Sequence, residues 1–132
     1  MRKLNVFFDV DDTLIVGNGL RNHAREVFER LAEAGHSIYV WSGVGIRKRQ
    51  MVYHGLDQFV KGYYVKPLWD YKNRLAVLDI PVMPDFVVDD HYELVKGFDG
   101  FGYTIPYPCG DDDRSLMEAL AAIEALASRP SP

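Results

Sequence analysis

Leu4-Asn5-Val6-Phe7-Phe8-Asp9-Val10-Asp11-Asp12-Thr13-Leu14 sets a β-branched and aromatic run directly against three acids. A short apolar run with a polar stop is the pattern of a buried strand entering a loop, so a first strand is expected over residues 4–10. Working outward, Leu20, Ala24, Val27, Phe28, Leu31 and Ala34 keep a helical three-and-four spacing, with Gly35 as the left-handed cap. Residues 36–41 read as a second strand, 46–54 as a short helix, 59–65 as a third strand, and 68–78 as a helix turning Trp69, Leu75, Ala76 and Leu78 inward. Residues 84–90 read as a fourth strand and 101–106 as a fifth. Leu116, Leu120, Ile123 and Ala127 mark a last amphipathic helix with Asp111, Asp112 and Asp113 at its positive end. Strands alternating with helices imply an α/β, three-layer α/β/α arrangement around a mostly parallel central sheet.

Composition narrows the function classes. The chain has 132 residues, 48% hydrophobic and 26% charged, the range of an ordinary globular chain with room for one core. One domain over residues 1–128 is expected, with a disordered tail over 129–132. A formal net charge of −4 is the wrong sign for a general polyanion binder, so nucleic acid is not indicated. No apolar run approaches the roughly 20 residues that span a bilayer, and the N-terminus lacks a signal-peptide pattern, so the expected location is the cytoplasm. Cys109 is the single cysteine, which excludes an internal disulfide and a cysteine-based metal site.

In an open parallel sheet, ligands bind beyond the carboxyl ends of the strands. The expected strands deliver Asp9 and Asp11, Ser42, and Asp89 and Asp90 to that rim, with Lys66 following the third strand. Four clustered carboxylates repel one another and raise each other's pKa unless a cation neutralises them. Oxygen ligands without His or Cys point to a hard ion, Mg²⁺. A hard cation beside a hydroxyl and an ammonium suits a phosphoryl group, and a strand-end Asp supplies a nucleophile.

Phe7-Phe8-Asp9-Val10-Asp11-Asp12-Thr13-Leu14 resembles the first motif of the haloacid dehalogenase superfamily, an apolar strand followed by Asp-x-Asp-x-Thr-Leu or Val. Tyr39-Val40-Trp41-Ser42-Gly43 is similar to the second motif, Lys66-Pro67 to the third, and Phe86-Val87-Val88-Asp89-Asp90 to the fourth. The resemblance spans roughly residues 4–90. It implies a Rossmann-like core and a Mg²⁺-dependent phosphatase acting on a phosphomonoester through an aspartyl-phosphate, with Asp9 as nucleophile and Asp11 as general acid and base. It further implies Mg²⁺ ligation by Asp9, the Asp11 carbonyl and Asp89, with Asp90 direct or through water, and phosphate binding by Ser42, Gly43 and Lys66. Because the family's dehalogenases lack the second Asp of motif one, Asp11 points away from dehalogenation.

Larger members carry a cap domain between motifs. Here Asp9 and Ser42 are 33 positions apart and Ser42 and Lys66 are 24 apart, lengths consumed by the expected helices and strands, so no cap fits. An open site takes a phosphorylated small molecule or macromolecule, or is closed by a neighbouring subunit of a homo-oligomer. Other readings stay open: a receiver-like signalling module that binds phosphate and Mg²⁺, or a binding module without turnover. Arg47-Lys48-Arg49 is either a solvated helix face or an attractor of anionic substrate, and His91 is structural or touches the site. Lys61 and Lys72 are alternatives to Lys66, Ser42 could be a turn cap, Asp12 reads as a loop acid, and Tyr63, Tyr64, Trp69 and Tyr71 are core or a wall at the site mouth.

Overall fold

The computed structural model describes residues 1–99, 101–106 and 109–130. Its strands are β1 (Asn5–Phe8), β2 (Ile15–Val16), β3 (Gly19–Leu20), β4 (Ser37–Ser42), β5 (Val60–Val65), β6 (Phe86–Asp89) and β7 (Gly102–Thr104). Its helices are α1 (Ala24–Glu33), α2 (Lys48–Tyr53), α3 (Arg74–Val77), α4 (Tyr92–Gly97) and α5 (Ser115–Ala127). Five strands form one parallel sheet in the order β5-β4-β1-β6-β7. β1 is central, with Val6 registered against Ile38 on one side and Phe86 on the other.

Strand alternation divides the core. Val6, Phe8, Ile38, Val40, Phe86 and Val88 pack under Val27, Phe28 and Leu31 of α1 and Leu116, Leu120 and Ile123 of α5. Phe7, Trp41 and Val87 face the other way, onto Leu75 of α3 and Leu94 and Val95 of α4. Helices therefore cover both faces, which is why β1 and β6 read as continuous apolar runs rather than as alternating ones. No helix of the described residues is long and apolar enough to cross a membrane.

Two expectations are corrected, and one helix adds to them. The first helix begins at Ala24, not Leu20, because Leu20 pairs with Ile15 in a β2–β3 hairpin that turns through Gly17 at φ +63°. The helix expected over 68–78 contracts to α3. Asp70 takes a positive φ of 46°, and Trp69 is exposed, its face covered by the Arg74 guanidinium 4.2 Å from the ring centroid. Of the residues expected inward there, Leu75 is buried, Leu78 is half-buried and Ala76 is exposed. Helix α4 was not expected; Leu94, Val95 and Phe98 give it an apolar stripe too short to stand out. Residues 131–132 of the expected tail lie outside the described residues.

One buried titratable group lies away from the carboxyl edge of the sheet. His36 precedes β4 and is 5% exposed, and its Nδ1 accepts the Leu4 N–H at 3.0 Å, so the ring is neutral in the fold. Burial, reinforced by Lys3, lowers its pKa from the ordinary 6.5. The unfolded chain thus binds more protons over the window just below 6.5, and the stability His36 contributes above that pH is lost on acidification. His36→Asn, whose side-chain oxygen can accept the same bond, should flatten the Tm-against-pH slope below 6.5 relative to wild type. Parallel slopes would remove His36 as the cause.

Candidate active site

The parallel strands turn their carboxyl ends to one edge. The Asp9 N–H donates to Val88 O at 3.0 Å and the Lys66 N–H to Ser42 O at 2.9 Å, so the ladder fixes both residues just beyond their strands. The Lys66 ammonium lies between two acids, 3.1 Å from Asp9 Oδ1 and 3.0 Å from Asp89 Oδ2. The remaining carboxylate oxygens are held as well: Thr13 Oγ1 donates to Asp9 Oδ2 at 3.2 Å, and the His91 N–H donates to Asp89 Oδ1 at 2.9 Å. Asp90 completes an acidic group in which one oxygen from each of Asp9, Asp89 and Asp90 lies within 4.8 Å of the others.

Burial makes this cluster expensive in electrostatic terms. Asp9 is 4% exposed and Asp89 fully buried. Desolvation first, and the Asp89 charge second, push the Asp9 carboxyl up to about 7 against the opposing pull of Lys66. Burial also raises Asp89, against Lys66 and the His91 N–H. For Lys66, burial alone would lower the ammonium, but Asp89 and Asp9 outweigh it and hold it above its ordinary value. With all three carboxylates ionised, the one ammonium leaves two negative charges uncompensated. An all-oxygen donor set with that deficit fits a hard divalent cation.

The other expected site residues are placed as follows. Ser42 is buried at the end of β4, and its Oγ accepts the Val44 N–H at 3.3 Å, a turn bond as well as a place at the rim. Gly43 carries Leu68 against it so closely that a Cβ would meet Leu68 Cδ2 at 2.8 Å. Asp11 is not brought onto the Asp9–Lys66–Asp89 group. Its side chain is 54% exposed and makes a bidentate pair with Arg47, at 2.6 Å to Oδ2 and 3.1 Å to Oδ1. Lys61 is exposed and Lys72 pairs with Asp99, so Lys66 is the lysine that reaches the acids. His91 is exposed and acts through its main chain. Tyr63, Tyr64 and Tyr71 pack against the core, while Trp69 stands exposed just after Lys66.

Two arginines bond at this edge, Arg47 from the cluster noted in the sequence and Arg21, which was not expected. Arg47 sits at the start of α2 with its side chain 14% exposed, whereas Lys48 and Arg49 face solvent. Arg21 is 3% exposed and donates to Thr13 O (2.7 Å), Asp12 O (2.8 Å), Asp113 Oδ2 (2.9 Å) and Ser115 Oγ (3.1 Å). It ties the loop after β1 to the start of α5. Asp113 therefore serves both the helix start, through the Ser115 hydroxyl, and this guanidinium, and its carboxyl is held low by those bonds despite its partial burial. The Arg47-Lys48-Arg49 cluster marked the first arginine in the sequence; nothing marked Arg21.

No family model matches the chain, and no curated protein matches it. Among solved structures, it is similar to an uncharacterized protein from Listeria monocytogenes serotype 4b, with TM-score 0.68 and 18% identity over 93% of this chain and 98% of that one. It is also similar to the core domain of a Streptococcus pneumoniae TIGR4 protein provisionally named a phosphoglycolate phosphatase, with TM-score 0.58 and 17% identity over 96% of each chain. At these identities the likeness establishes the fold. The molecule is thus an α/β protein of that fold carrying an acid-lined group, able to hold a cation, at the carboxyl edge of a parallel sheet.

Proposed function

We propose that the chain is a Mg²⁺-dependent phosphatase of phosphomonoesters, related to the haloacid dehalogenase superfamily, with residues 1–128 as one catalytic domain. The observation that carries this reading is the buried Lys66 ammonium shared by Asp9 and Asp89, with Asp90 completing the acid group. The provisional name of the Streptococcus pneumoniae neighbour supports it.

Asp9 is the nucleophile. Lys66 and Thr13 fix its two oxygens, so the carboxylate is oriented before substrate arrives and little reorganisation remains. One Asp9 oxygen attacks phosphorus and the ester oxygen leaves with a proton from Asp11. Asp11 then takes a proton from water, which attacks the aspartyl-phosphate and releases inorganic phosphate with Asp9 restored. Asp11 leaves its pair with Arg47 to do so, and its 54% exposure gives it the freedom to swing. Ser42 and Gly43 hold phosphoryl oxygens, and Lys66 neutralises both the acids and the transferring group. Asp9, the Asp11 carbonyl, Asp89 and Asp90 would hold Mg²⁺, which supplies charge neutralisation for the phosphoryl group.

Wild-type chain with Mg²⁺ should hydrolyse p-nitrophenyl phosphate or a member of a phosphomonoester panel, and should lose that turnover on chelation. Mg²⁺ should also raise Tm with a dependence on its concentration, since it binds the folded state alone. Absence of turnover across the panel would sink the phosphatase reading, and a Tm indifferent to Mg²⁺ would sink its metal dependence.

A further inference from the structure

The reaction above assigns no part to Arg47. We propose that Arg47 is a phosphate-clamping residue, a second cation that grips the oxygens of the group Asp9 attacks; this rests on the phosphatase reading and deepens it. The first observation is position. Arg47 Nη1 lies 3.5 Å from Ser42 Oγ, so an oxygen held by that hydroxyl is within reach of the same guanidinium nitrogen. The second is orientation. Of three consecutive cations, Arg47 alone is turned into the site, with its side chain 14% exposed.

The third observation is that its present partner is replaceable. The fork holds the Asp11 carboxylate bidentately, but that carboxylate is 54% exposed, and an ion pair with a solvated member is weakly held. A planar fork that matches a carboxylate edge matches a phosphoryl edge equally well. The fourth is the charge balance. Lys66 is already shared by Asp9 and Asp89, so its single charge does not by itself balance an arriving dianion. Among the described residues, Arg47 is the further cation bonded at this rim, to Asp11 and to Ser42. The clamp then works by exchange: phosphate enters the fork as the Asp11 carboxylate leaves it. Lys48 and Arg49, facing solvent, take no part.

The test is inorganic phosphate binding by calorimetry, in the presence of Mg²⁺, to wild type, Arg47→Ala, Arg47→Lys and Asp11→Ala. Loss of a charge-assisted pair should weaken phosphate roughly 10- to 100-fold in Arg47→Ala. Arg47→Lys keeps the charge without the fork and should fall between. Asp11→Ala removes the competitor, so it should tighten phosphate, and this gain should vanish in the Arg47→Ala background. That double-variant pattern separates a clamp from a residue that merely supports the loop. Equal phosphate affinity in wild type and Arg47→Ala, or no phosphate binding by wild type, overturns the assignment. Phosphate binding with no ester hydrolysis defeats the phosphatase reading and leaves the clamp standing.

Discussion

Asp9→Asn should abolish hydrolysis by at least about 10³-fold, the scale of losing a nucleophile, while leaving the metal-free protein as stable as wild type or more so. The two halves have one cause. Asp9 is buried beside Asp89, and its carboxyl is raised to about 7, from an ordinary 3.8, by desolvation and by that neighbour. A folded-state pKa above the unfolded one means that the folded chain binds more protons between those values, so stability falls as pH rises through that window. Replacing the charge with an isosteric amide removes the penalty. In chelator the Tm gain should therefore be largest near pH 8 and absent near pH 4, and Mg²⁺ should stabilise the variant less than wild type. A variant that keeps turnover contradicts the assignment of Asp9. One that is destabilised at pH 8 in chelator contradicts the electrostatic account of the cluster.

Arg21→Met should cost about 3–5 kcal/mol, the scale of breaking a buried charge network from one side, and lower Tm by roughly 10–20 °C. The guanidinium is 3% exposed and satisfies the Thr13 and Asp12 carbonyls, the Asp113 carboxylate and the Ser115 hydroxyl. Methionine matches its apolar stem but strips the guanidinium from those acceptors, leaving Asp113, with only 8% of its side chain exposed, without its counter-charge. Lysine should not rescue it, since a single ammonium cannot reach four acceptors in a fork arrangement. Adding Asp113→Asn should recover part of the loss by removing the stranded charge. Urea unfolding of the three variants reads this directly, and a loss below 1 kcal/mol in Arg21→Met would show that the tie is not structural. Because the Thr13 and Asp12 carbonyls belong to the loop after Asp9, turnover at temperatures where Arg21→Met stays folded should fall as well.

The central strands are legible in the sequence because strands buried on both faces read as unbroken apolar runs, as Val6-Phe7-Phe8 and Phe86-Val87-Val88 do. The acids at their ends are legible for the same reason: a charge directly abutting such a run stands out. Short elements are not. α3 and α4 are too brief to show a period, and the β2–β3 hairpin borrows Leu20 from what looks like a helix stripe. The positions of Asp9, Lys66 and Asp89 in one group follow from strand order, which places β1 between β4 and β6. Side-chain direction does not follow from it. Asp11 and Asp9 stand two residues apart with the same alternation, yet one is buried against Lys66 and the other reaches out to Arg47, because the strand ends at Phe8 and the chain turns through Asp12 at φ +62°. Arg21 gives no local sign, since its partners lie 8, 9, 85, 92 and 94 positions away.

β5 is an edge strand, the kind of element that frays first and offers its open side to other chains. Here its carboxyl end is bolted inward by Lys66, whose ammonium cannot withdraw without abandoning two buried carboxylates to each other. The charge that offsets the buried acids and the tie that holds the edge strand are therefore the same contact. Amide exchange along β5 should report the occupancy of the acid group, slow with a cation bound and faster once Asp9 and Asp89 are protonated.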